Sequence, residues 1–373
     1  MKKLRVGIIG IGKIGLAQIK AIKSIENSGY AELIAISSRD PRKAQAICKH
    51  YGIPACYSDY RIMLENAALD VVHNCTPNMV HYEINKQSIL VGCHILSEKP
   101  LTVNSAQSAE LVALAGEKGV LSAVNFVYRH YSVIQHIKKM IEECWFGNVY
   151  AVHGTYLQDW LLYDTDYDWR VEARLGGPSR ALADIGSHWL DIAQFVLGQN
   201  ITELVADFAT FVPTRGKLIG KGAADLQTIE VDTEDYASML FRFDRGAHGS
   251  LTVSQVSAGQ KSGLSFEIDC SKASVCWTHE HPGYAEIRYR DASKRILAGN
   301  GELLQTESGE IAKKGSQSAE NISIAQKNMI ENFYRSILYS EKPSYADFEE
   351  GHRIVCIVEA AIKSQHNGTW VSV

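Results

Sequence analysis

The stretch that decides the fold is VGIIGIGKIG, residues 6–15, in which an apolar run leads into glycines spaced as Gly-x-Gly-x-x-Gly. A helical pattern follows at residues 16–25. The glycines allow a tight turn and a close approach of the backbone to a pyrophosphate, and the start of the helix directs N–H donors at it. The sequence therefore predicts a strand, a dinucleotide-binding loop at residues 10–15 and a helix.

Strand-like and helix-like segments continue to alternate as far as residue 125, which is typical of a parallel, doubly wound sheet. Residues 41–52 begin with Pro41 and end with Gly52, as helices commonly do. The other segments are predicted strands at residues 4–9, 32–37, 69–76, 93–98 and 121–126, and helices at 80–91 and 105–118. We assign residues 1–125 to an α/β domain that binds NAD(P).

After residue 126 the apolar residues recur with a period of two, and turn residues separate the runs. This pattern predicts an antiparallel sheet with one face free. The runs lie at residues 149–157, 233–258, 264–277 and 285–291, and helices are predicted at 187–197, 324–338 and 348–365. The polar stretch 299–321 is predicted to be a loop, and residues 126–373 are assigned to a second, C-terminal α/β domain.

The composition of the 373-residue chain, with 46% hydrophobic and 21% charged residues, is that of a globular protein of about two domains. A net charge of −4 gives no electrostatic basis for binding nucleic acid. No apolar run approaches the ~20 residues of a membrane span, so no membrane partner is expected either. The eight cysteines form no CxxC pair and no metal-type spacing with histidine, which indicates a reducing cytoplasm and no metal site.

The end of the second predicted strand, Ser37-Ser38-Arg39-Asp40, bears on the choice of dinucleotide. An NAD site usually has an acidic residue there that accepts from the ribose hydroxyl. Two hydroxyls and a guanidinium suit a 2′-phosphate better, and Asp40, directly before Pro41, is a good helix N-cap. NADP(H) is therefore the favoured cofactor, with NAD(H) as the alternative.

Two further motifs follow strands of this domain and so lie at the carboxyl edge of the sheet, where doubly wound folds bind ligands. CTPNMVH, residues 75–81, brings a rigid turn and polar groups there, although it also suits a helix entry with Asn78 as N-cap. In SEKP, residues 97–100, the proline keeps Lys99 out of helical geometry, so its amine can be directed at a site. A surface pair of Glu98 and Lys99, contributing little energy, is the alternative.

Asp184 and His188, in the second domain, are four residues apart, the spacing that places side chains on one helix face. Ser187 as N-cap would put His188 in the first turn, where the helix dipole favours a neutral imidazole that can take a proton. A purely structural pair is the alternative. A metal site lacks a third ligand.

Five stretches, in this order and spacing, together resemble the glucose–fructose oxidoreductase / inositol dehydrogenase (Gfo/Idh/MocA) family: VGIIGIGKIG, CTPNMVHYE, SEKPL, NFVYRHY and LADIGSHWLDIAQFVLG. The resemblance covers most of the chain. It implies an N-terminal Rossmann domain and a C-terminal α/β domain with a large, open, mostly antiparallel sheet. It also implies a homo-oligomer, either a dimer or a tetramer.

The resemblance implies roles for individual residues. The implied catalytic trio is Lys99, Asp184 and His188. The implied cofactor contacts are Gly10, Gly12, Lys13, Ile14, Ser38, Arg39, Thr76, Pro77, Asn78, His81, Glu98, Lys99 and Asn125, with Glu98 on the nicotinamide ribose. Arg129 matches a position near the mouth of the active site. Inositol-dehydrogenase-like members carry an acidic residue where Ser38 stands, which puts an NAD-specific assignment in doubt.

The segment ahead of the Asp184 helix, residues 156–180, is rich in aromatic and acidic residues. Sugar rings offer apolar faces for stacking and hydroxyls for charged acceptors, so this composition suits a polyol. The alternative is that these aromatics pack a seam between domains. The predicted substrate contacts are Lys99, Arg129, Asp159, Trp160, Tyr163, Asp168, Arg170, Asp184 and His188.

These observations predict an NAD(P)-dependent oxidoreductase that transfers a hydride between nicotinamide and a secondary alcohol or ketone of a sugar, sugar derivative or cyclitol. Lys99 and His188 would act on the reacting oxygen, and which of them is the immediate base stays open. Two other functions occur in the family, a glycoside hydrolase that retains its nicotinamide and a ligand sensor without the trio. The presence of all three catalytic residues argues against the sensor.

Overall fold

The computed structural model describes residues 3–218, 226–305 and 321–373. The described residues divide into two compact units: those within 1–130 and 322–355 form one, and those within 131–321 and 356–373 form the other. The strands of the first unit are β1 (Leu4–Ile9), β2 (Ala31–Ser37), β3 (Ala55–Tyr57), β4 (Val71–Asn74), β5 (His94–Ser97) and β6 (Ser122–Val124). They pair in parallel in the order β3-β2-β1-β4-β5-β6, the strand order of a Rossmann fold.

Five helices accompany this sheet: α1 (Lys13–Ile25), α2 (Pro41–Tyr51), α3 (Tyr60–Asn66), α4 (His81–Leu90) and α5 (Ser105–Lys118). Local sequence sets several of their ends. Asp40 caps α2 by accepting from the Lys43 amide at 3.0 Å, and Gly52 ends that helix at a φ of +63°. Asn104 caps α5 in the same way, since its side chain accepts from the amide of Gln107.

The second unit contains a ten-stranded sheet. Its strands are β7 (Val149–Leu157), β8 (Ile201–Ala209), β11 (Tyr236–Phe243), β12 (His248–Ser254), β13 (Gly263–Cys270), β14 (Ser274–Thr278), β15 (Tyr284–Arg288), β16 (Arg295–Ala298), β17 (Leu303–Gln305) and β18 (Val371–Ser372). The order is β17-β16-β15-β14-β13-β7-β12-β11-β8-β18, and only the β7–β12 pair is parallel among these neighbours. A separate hairpin joins β9 (Thr214–Leu218) and β10 (Leu226–Glu230).

The described residues of the second unit also form the helices α6 (Ser132–Glu142), α7 (Ala173–Gly176) and α8 (Ser187–Leu197). Helix α6 was not predicted from the sequence, although Val133, Ile137 and Met140 repeat on its buried face. β3 and α3 in the first unit were not predicted either. α8 has the predicted bounds and ends at Gly198, but a π-helical turn, Leu182–Gly186, runs directly into it.

The last two helices, α9 (Ile322–Tyr339) and α10 (Phe348–Asn367), correct the predicted domain boundary. Residues 126–130 and 322–355 belong to the first unit rather than to a second domain that starts at residue 126. The physical reason is apolar burial, because Met329 and Phe333 of α9 lie in one core with β1 residues such as Val6 and Ile8. Residues of α10 from Cys356 onward belong to the second unit.

The predicted fold class is confirmed: a Rossmann parallel sheet with a large, mostly antiparallel sheet in the C-terminal part. The predicted loop at residues 299–321 is wrong at residues 303–305, which form β17 and pair with β16. The remainder of that prediction, residues 306–320, lies outside the described residues.

We expect the substitution Phe333→Ala to destabilise the first unit by about 3–5 kcal/mol, because it opens a cavity in that fully buried core. Ile322→Ala, on an exposed residue of the same helix, is the control and should change stability by less than about 0.5 kcal/mol. Urea unfolding followed by circular dichroism measures both. Equal midpoints for the two variants would show that α9 is not part of the core.

Candidate functional site

The loop between β1 and α1 has the geometry of a dinucleotide-binding turn. Gly10 has a φ of +90°, and a Cβ there would lie 2.7 Å from the carbonyl oxygen of Cys75, at the end of β4. A Cβ on Gly15 would lie 2.0 Å from the carbonyl oxygen of Gly10, whereas one on Gly12 would meet nothing within 4 Å. No side chain caps α1, so its first amides suit an anion. Lys13 and Ile14 lie in the exposed first turn.

The turn at residues 75–81 is tied to the loop that follows Lys99. The His81 ring is fully buried, with Nδ1 2.8 Å from the carbonyl oxygen of Pro100 and Nε2 2.8 Å from that of Thr76. Burial lowers the pKa of His81, the two carbonyl groups raise it, and the Lys99 charge lowers it. His81 therefore connects the turn at Thr76 to the loop at Pro100 and holds them together. This positioning role was not predicted from the sequence.

Thr76, Pro77 and Asn78 lie on the same turn, where their side chains are half-buried or exposed. The Thr76 hydroxyl donates to Oδ1 of the buried Asn74 at 2.6 Å, which fixes its orientation. Asn78 is not a helix N-cap, because it is the first residue of a short 3₁₀ turn, Asn78–Val80, which precedes α4 and has Pro77 as its N-cap.

Glu98 is buried directly after β5, and its carboxylate is surrounded by amide donors. Oε1 accepts from Gln18 Nε2 at 2.8 Å and from Asn125 Nδ2 at 2.6 Å. Burial raises the pKa of Glu98, while Asn125, Lys99 and Gln18 lower it. The burial of Glu98 therefore excludes the alternative that Glu98 and Lys99 form an ordinary surface pair.

Two other residues of the first unit have partners that the sequence did not reveal. Asn125 exchanges two hydrogen bonds of 3.0 Å with Gln326 of α9. Arg129 is almost fully buried and pairs with Glu350 of α10, Nη1 to Oε1, at 2.9 Å. The predicted contact between Arg129 and substrate stays a prediction, and the ion pair gives this residue a structural role.

The end of β2 carries the residues predicted to select the dinucleotide. Ser37 is buried, Ser38 is half-buried and Arg39 is exposed. Asp40 is the N-cap of α2, as predicted, and its amide donates to Ser38 Oγ at 3.2 Å. The only acidic side chain in this turn is therefore engaged with a helix end.

In the second unit, a buried carboxylate organises the turn that contains Asp184. Glu234 Oε1 accepts from the Arg180 amide at 3.0 Å, the Leu182 amide at 2.9 Å and the Ser179 hydroxyl at 2.7 Å. It thus satisfies amides at the start of the π-helical turn, a form often found at functional sites. Burial raises the pKa of Glu234, and these donors lower it.

Because helical geometry begins at Leu182, the prediction that Ser187 is an N-cap and His188 lies in the first turn is wrong. The dipole argument for a neutral His188 does not hold for that reason. His188 is the second residue of α8 and is 9% exposed.

Asp184 is held from both of its oxygens. Arg170 Nε lies 3.3 Å from Oδ1, and Gln255 Nε2 donates to Oδ2 at 3.0 Å. Gln255 Oε1 in turn accepts from the buried Arg180 at 3.3 Å, and Arg170 Nη1 donates to Asp168 Oδ1 at 3.0 Å. The structure thus brings the predicted residues Asp168, Arg170 and Asp184 together.

The remaining predicted residues of the second unit engage other partners. Asp159 accepts from Lys261 Nζ at 2.8 Å, and Trp160 Nε1 donates to Gln158 at 2.7 Å. The Tyr163 side chain is 64% exposed. Trp160 and Tyr163 therefore offer accessible aromatic groups, whereas the Asp159 side chain is mostly buried and paired with Lys261. The contact of these three residues with a substrate stays a prediction.

Four residues whose side chains connect to Glu98 or Asp184 were not predicted from the sequence: Gln18, His73, Gln255 and Gln326. A signal was available for two of them. His73 interrupts the apolar strand VVHN, and Gln18 falls on the buried face of α1 among Ile19 and Ile22. A polar residue at a core position must find a hydrogen-bond partner.

Comparison with known proteins agrees with this architecture. Residues 4–126 match the family model described as "Oxidoreductase family, NAD-binding Rossmann fold", and residues 134–276 match that of the "GFO/IDH/MocA C-terminal domain". A levoglucosan dehydrogenase of Pseudarthrobacter phenanthrenivorans is 28% identical over 100% of this chain and 99% of its own.

Solved structures show the same similarity. A levoglucosan dehydrogenase in complex with NADH and levoglucosan has 25% identity and a TM-score of 0.87 over 100% of both chains. An inositol dehydrogenase homologue of Azotobacter vinelandii, complexed with NAD+, has 23% identity and a TM-score of 0.85 over 100% of this chain and 98% of its own, a likeness of fold.

The fold and the dinucleotide loop define an NAD-binding oxidoreductase class. The chain belongs to the Gfo/Idh/MocA oxidoreductase family, so the predicted family is confirmed. Within the described residues, no helix is both long and apolar enough to span a membrane.

The glycine contacts predict different consequences for two substitutions in one loop. Gly15→Ala should lower the thermal unfolding temperature, because the new methyl group collides with the Gly10 carbonyl. Gly12→Ala should leave that temperature within about 2 °C and weaken NADH binding, because its methyl group enters the space at the start of α1. Differential scanning fluorimetry and NADH fluorescence titration measure the two effects. Equal thermal effects would contradict the geometry.

Proposed function

We propose that this protein is an NAD(P)-dependent dehydrogenase or reductase acting on a secondary alcohol or ketone of a sugar, sugar derivative or cyclitol. The observation that carries the proposal is Lys99, placed beside the buried carboxylate of Glu98 at the sheet edge that also bears the dinucleotide loop. Relatives with levoglucosan and NADH in their names support the same class of substrate and cofactor.

The residues of the first unit suit a dinucleotide. Gly12 and the uncapped amides of α1 would receive the pyrophosphate, and Glu98 would accept from the nicotinamide ribose. When bound, the nicotinamide supplies the hydride acceptor or donor. The protein's own groups position the alcohol and move its proton.

We assign the proton chemistry to the catalytic trio Lys99, Asp184 and His188. His188 takes the hydroxyl proton during oxidation and returns it during reduction, while the Lys99 ammonium hydrogen-bonds the same oxygen and stabilises the developing alkoxide. Asp184 orients His188, and the contacts from Arg170 and Gln255 support this role by restraining its carboxylate. Arg129, Asp159, Trp160, Tyr163, Asp168 and Arg170 are the proposed further contacts to the sugar.

We propose NADP(H) as the preferred dinucleotide, with NAD(H) as the alternative. The use of Asp40 as a helix cap supports this choice, because it leaves hydroxyls and the exposed Arg39 at the end of β2. A guanidinium binds a phosphate more strongly than a diol. The two relatives of known structure named above carry NADH and NAD+.

A cytoplasmic homo-oligomer is the proposed form. All eight cysteines are free, in keeping with a reducing compartment. One face of the ten-stranded sheet carries half-buried hydroxyls that bond across strands, including Thr155 with Ser265 and Ser238 with Thr252. Such a face suits a second copy of the chain.

Light scattering coupled to size-exclusion chromatography measures the mass of the assembly. A monomer at micromolar concentration would contradict the proposed homo-oligomer.

Lys99→Ala and His188→Ala should each lower turnover by about a hundredfold or more while leaving NADH binding nearly unchanged. A panel of sugars and cyclitols with NAD⁺ and NADP⁺, followed by the absorbance of reduced nicotinamide, provides the assay. Lys86→Ala, on the surface of α4, is the control for loss of a lysine.

Parent-like turnover in either active-site variant would refute the assignment. Release of sugar from glycosides without net reduction of nicotinamide would instead indicate the glycoside hydrolase chemistry of the family.

Arg39→Ala should raise the KM for NADP⁺ by about tenfold or more, because it removes a charged partner of the 2′-phosphate, and should leave the KM for NAD⁺ nearly unchanged. Ser38→Asp should shift the ratio of kcat/KM toward NAD⁺, because a carboxylate there accepts from the ribose diol. A parent protein with a strong preference for NAD⁺ would overturn the proposed selectivity.

A further inference from the structure

Glu98 lies at the end of a chain of buried side chains that no function so far explains. Tyr334 of α9 contacts His73 of β4, with Oη 2.9 Å from Nε2. His73 Nδ1 lies 2.5 Å from Gln18 Oε1, and Gln18 Nε2 donates to Glu98 Oε1 at 2.8 Å. Tyr334, His73 and Gln18 are all fully buried, so water does not substitute for any of these bonds.

When Glu98 is ionised, only one donor-to-acceptor order along this series of hydrogen bonds gives every side chain a partner. A carboxylate accepts only, so Gln18 must present its amide nitrogen to Glu98 and its oxygen to His73. The Nδ1 of His73 must then carry the proton, which leaves Nε2 as an acceptor for the Tyr334 hydroxyl. An ionised Glu98 therefore makes the Tyr334 hydroxyl the donor at the far end of this hydrogen-bond chain.

A second arm reaches the same carboxylate oxygen. Asn125 donates to Glu98, and its amide is fixed by the reciprocal pair of hydrogen bonds with Gln326. Both arms start on α9, at Tyr334 and Gln326. A helix that lies about two hundred residues or more after Glu98 in the sequence thus supplies the outer end of each arm.

We propose that Gln18, His73 and Tyr334 are positioning residues that hold Glu98 ionised and in one orientation for the nicotinamide ribose. This proposal rests on the proposed function for the role of Glu98. It extends that function by making cofactor affinity dependent on a tyrosine three hydrogen bonds away from the carboxylate.

The electrostatics of the surroundings agree with an anion at Glu98. Lys99 supplies a positive charge beside it, and Cys75 faces it from the end of β4. Burial, together with the Glu98 charge, raises the pKa of Cys75, and burial lowers the pKa of His73 to about 3. Burial likewise raises the pKa of Tyr334. Near neutral pH, His73 is therefore uncharged, and the Cys75 thiol and the Tyr334 hydroxyl keep their protons.

The sign of the pH dependence follows from the protonation of Glu98. Burial raises the pKa of Glu98, and each donor to the carboxylate opposes that rise. Cofactor affinity is highest above the pKa of Glu98, where the carboxylate is ionised, and it weakens as the pH falls through that pKa. Tyr334→Phe removes the donor that fixes the His73 tautomer, so Gln18 can turn its oxygen toward Glu98. That orientation favours the protonated carboxyl and raises the pKa of Glu98. The loss of cofactor affinity should therefore begin at a higher pH.

The test is the dissociation constant of NADH from pH 5.5 to 9, measured by fluorescence on the full-length protein. NADH is the probe because the 2′-phosphate of NADPH itself titrates at about pH 6. Tyr334→Phe should move the midpoint of the pH profile upward by about half a pH unit, so that binding weakens by up to about threefold on the acidic side of the midpoint and by less than about twofold well above it. Gln18→Leu removes a direct donor and should move the midpoint upward by about one pH unit, which weakens binding by up to about tenfold on the acidic side.

Tyr345→Phe is the matched control. Tyr345 is a buried tyrosine of the same core, and its hydroxyl bonds to Ser336, outside the chain that leads to Glu98. Its pH profile should match that of the parent. The proposal is overturned if the profiles of Tyr334→Phe and Gln18→Leu superimpose on that of Tyr345→Phe, or if all three variants lose affinity equally at every pH. If the binding profiles of Tyr334→Phe and Gln18→Leu shift as expected but the parent protein turns over no sugar, the proposed function is refuted and the positioning role stands.

Discussion

A buried carboxylate is stable as an anion only where N–H donors or charges replace the water it has lost. In each unit, a buried carboxylate of this kind lies next to a candidate catalytic residue. In the first unit this carboxylate is Glu98, next to Lys99, and in the second it is Glu234, which caps the turn that carries Asp184. The hydrogen bonds that each carboxylate accepts fix the backbone next to it, and that backbone carries Lys99 in the first unit and Asp184 in the second.

The donors come from different sources in the two units, and the difference has consequences. Glu98 is held by side-chain amides, Gln18 and Asn125, which can reorient if their own partners are lost. Glu234 is held mainly by backbone amides, which cannot reorient as a side-chain amide can, together with the Ser179 hydroxyl. The first arrangement makes the state of the carboxylate depend on remote residues, whereas the second mainly fixes local backbone geometry.

The periodicity of the sequence was sufficient for most of the architecture. Strand–helix alternation predicted the Rossmann sheet, and period-two alternation predicted the antiparallel sheet, because each pattern reflects which face of an element is buried. End signals such as Asp40 with Pro41 located helix termini correctly. Short elements such as β3 and α3 escaped detection, since a few residues hold too little periodic signal.

The candidate site was predictable to the extent that its residues sit in recognisable motifs. Lys99, Asp184 and His188 could be named from sequence patterns and family resemblance. Their supports could not, because Gln326 and Gln255 are far from them in the chain and carry no motif. The local argument about His188 also failed, since the amides ahead of α8 are capped by Glu234, which lies 46 positions further along the chain than His188.

The sequence by itself determined the class of fold, the dinucleotide loop and the identity of the chemical groups, since these depend on local spacing and on glycine conformations. Only the tertiary structure decided that α9 belongs to the first unit, that Arg129 pairs with Glu350, and that Tyr334 reaches Glu98 through two intermediaries. Those contacts join residues hundreds of positions apart. They arise from satisfying buried polar groups across the packed core, a requirement that no local pattern records.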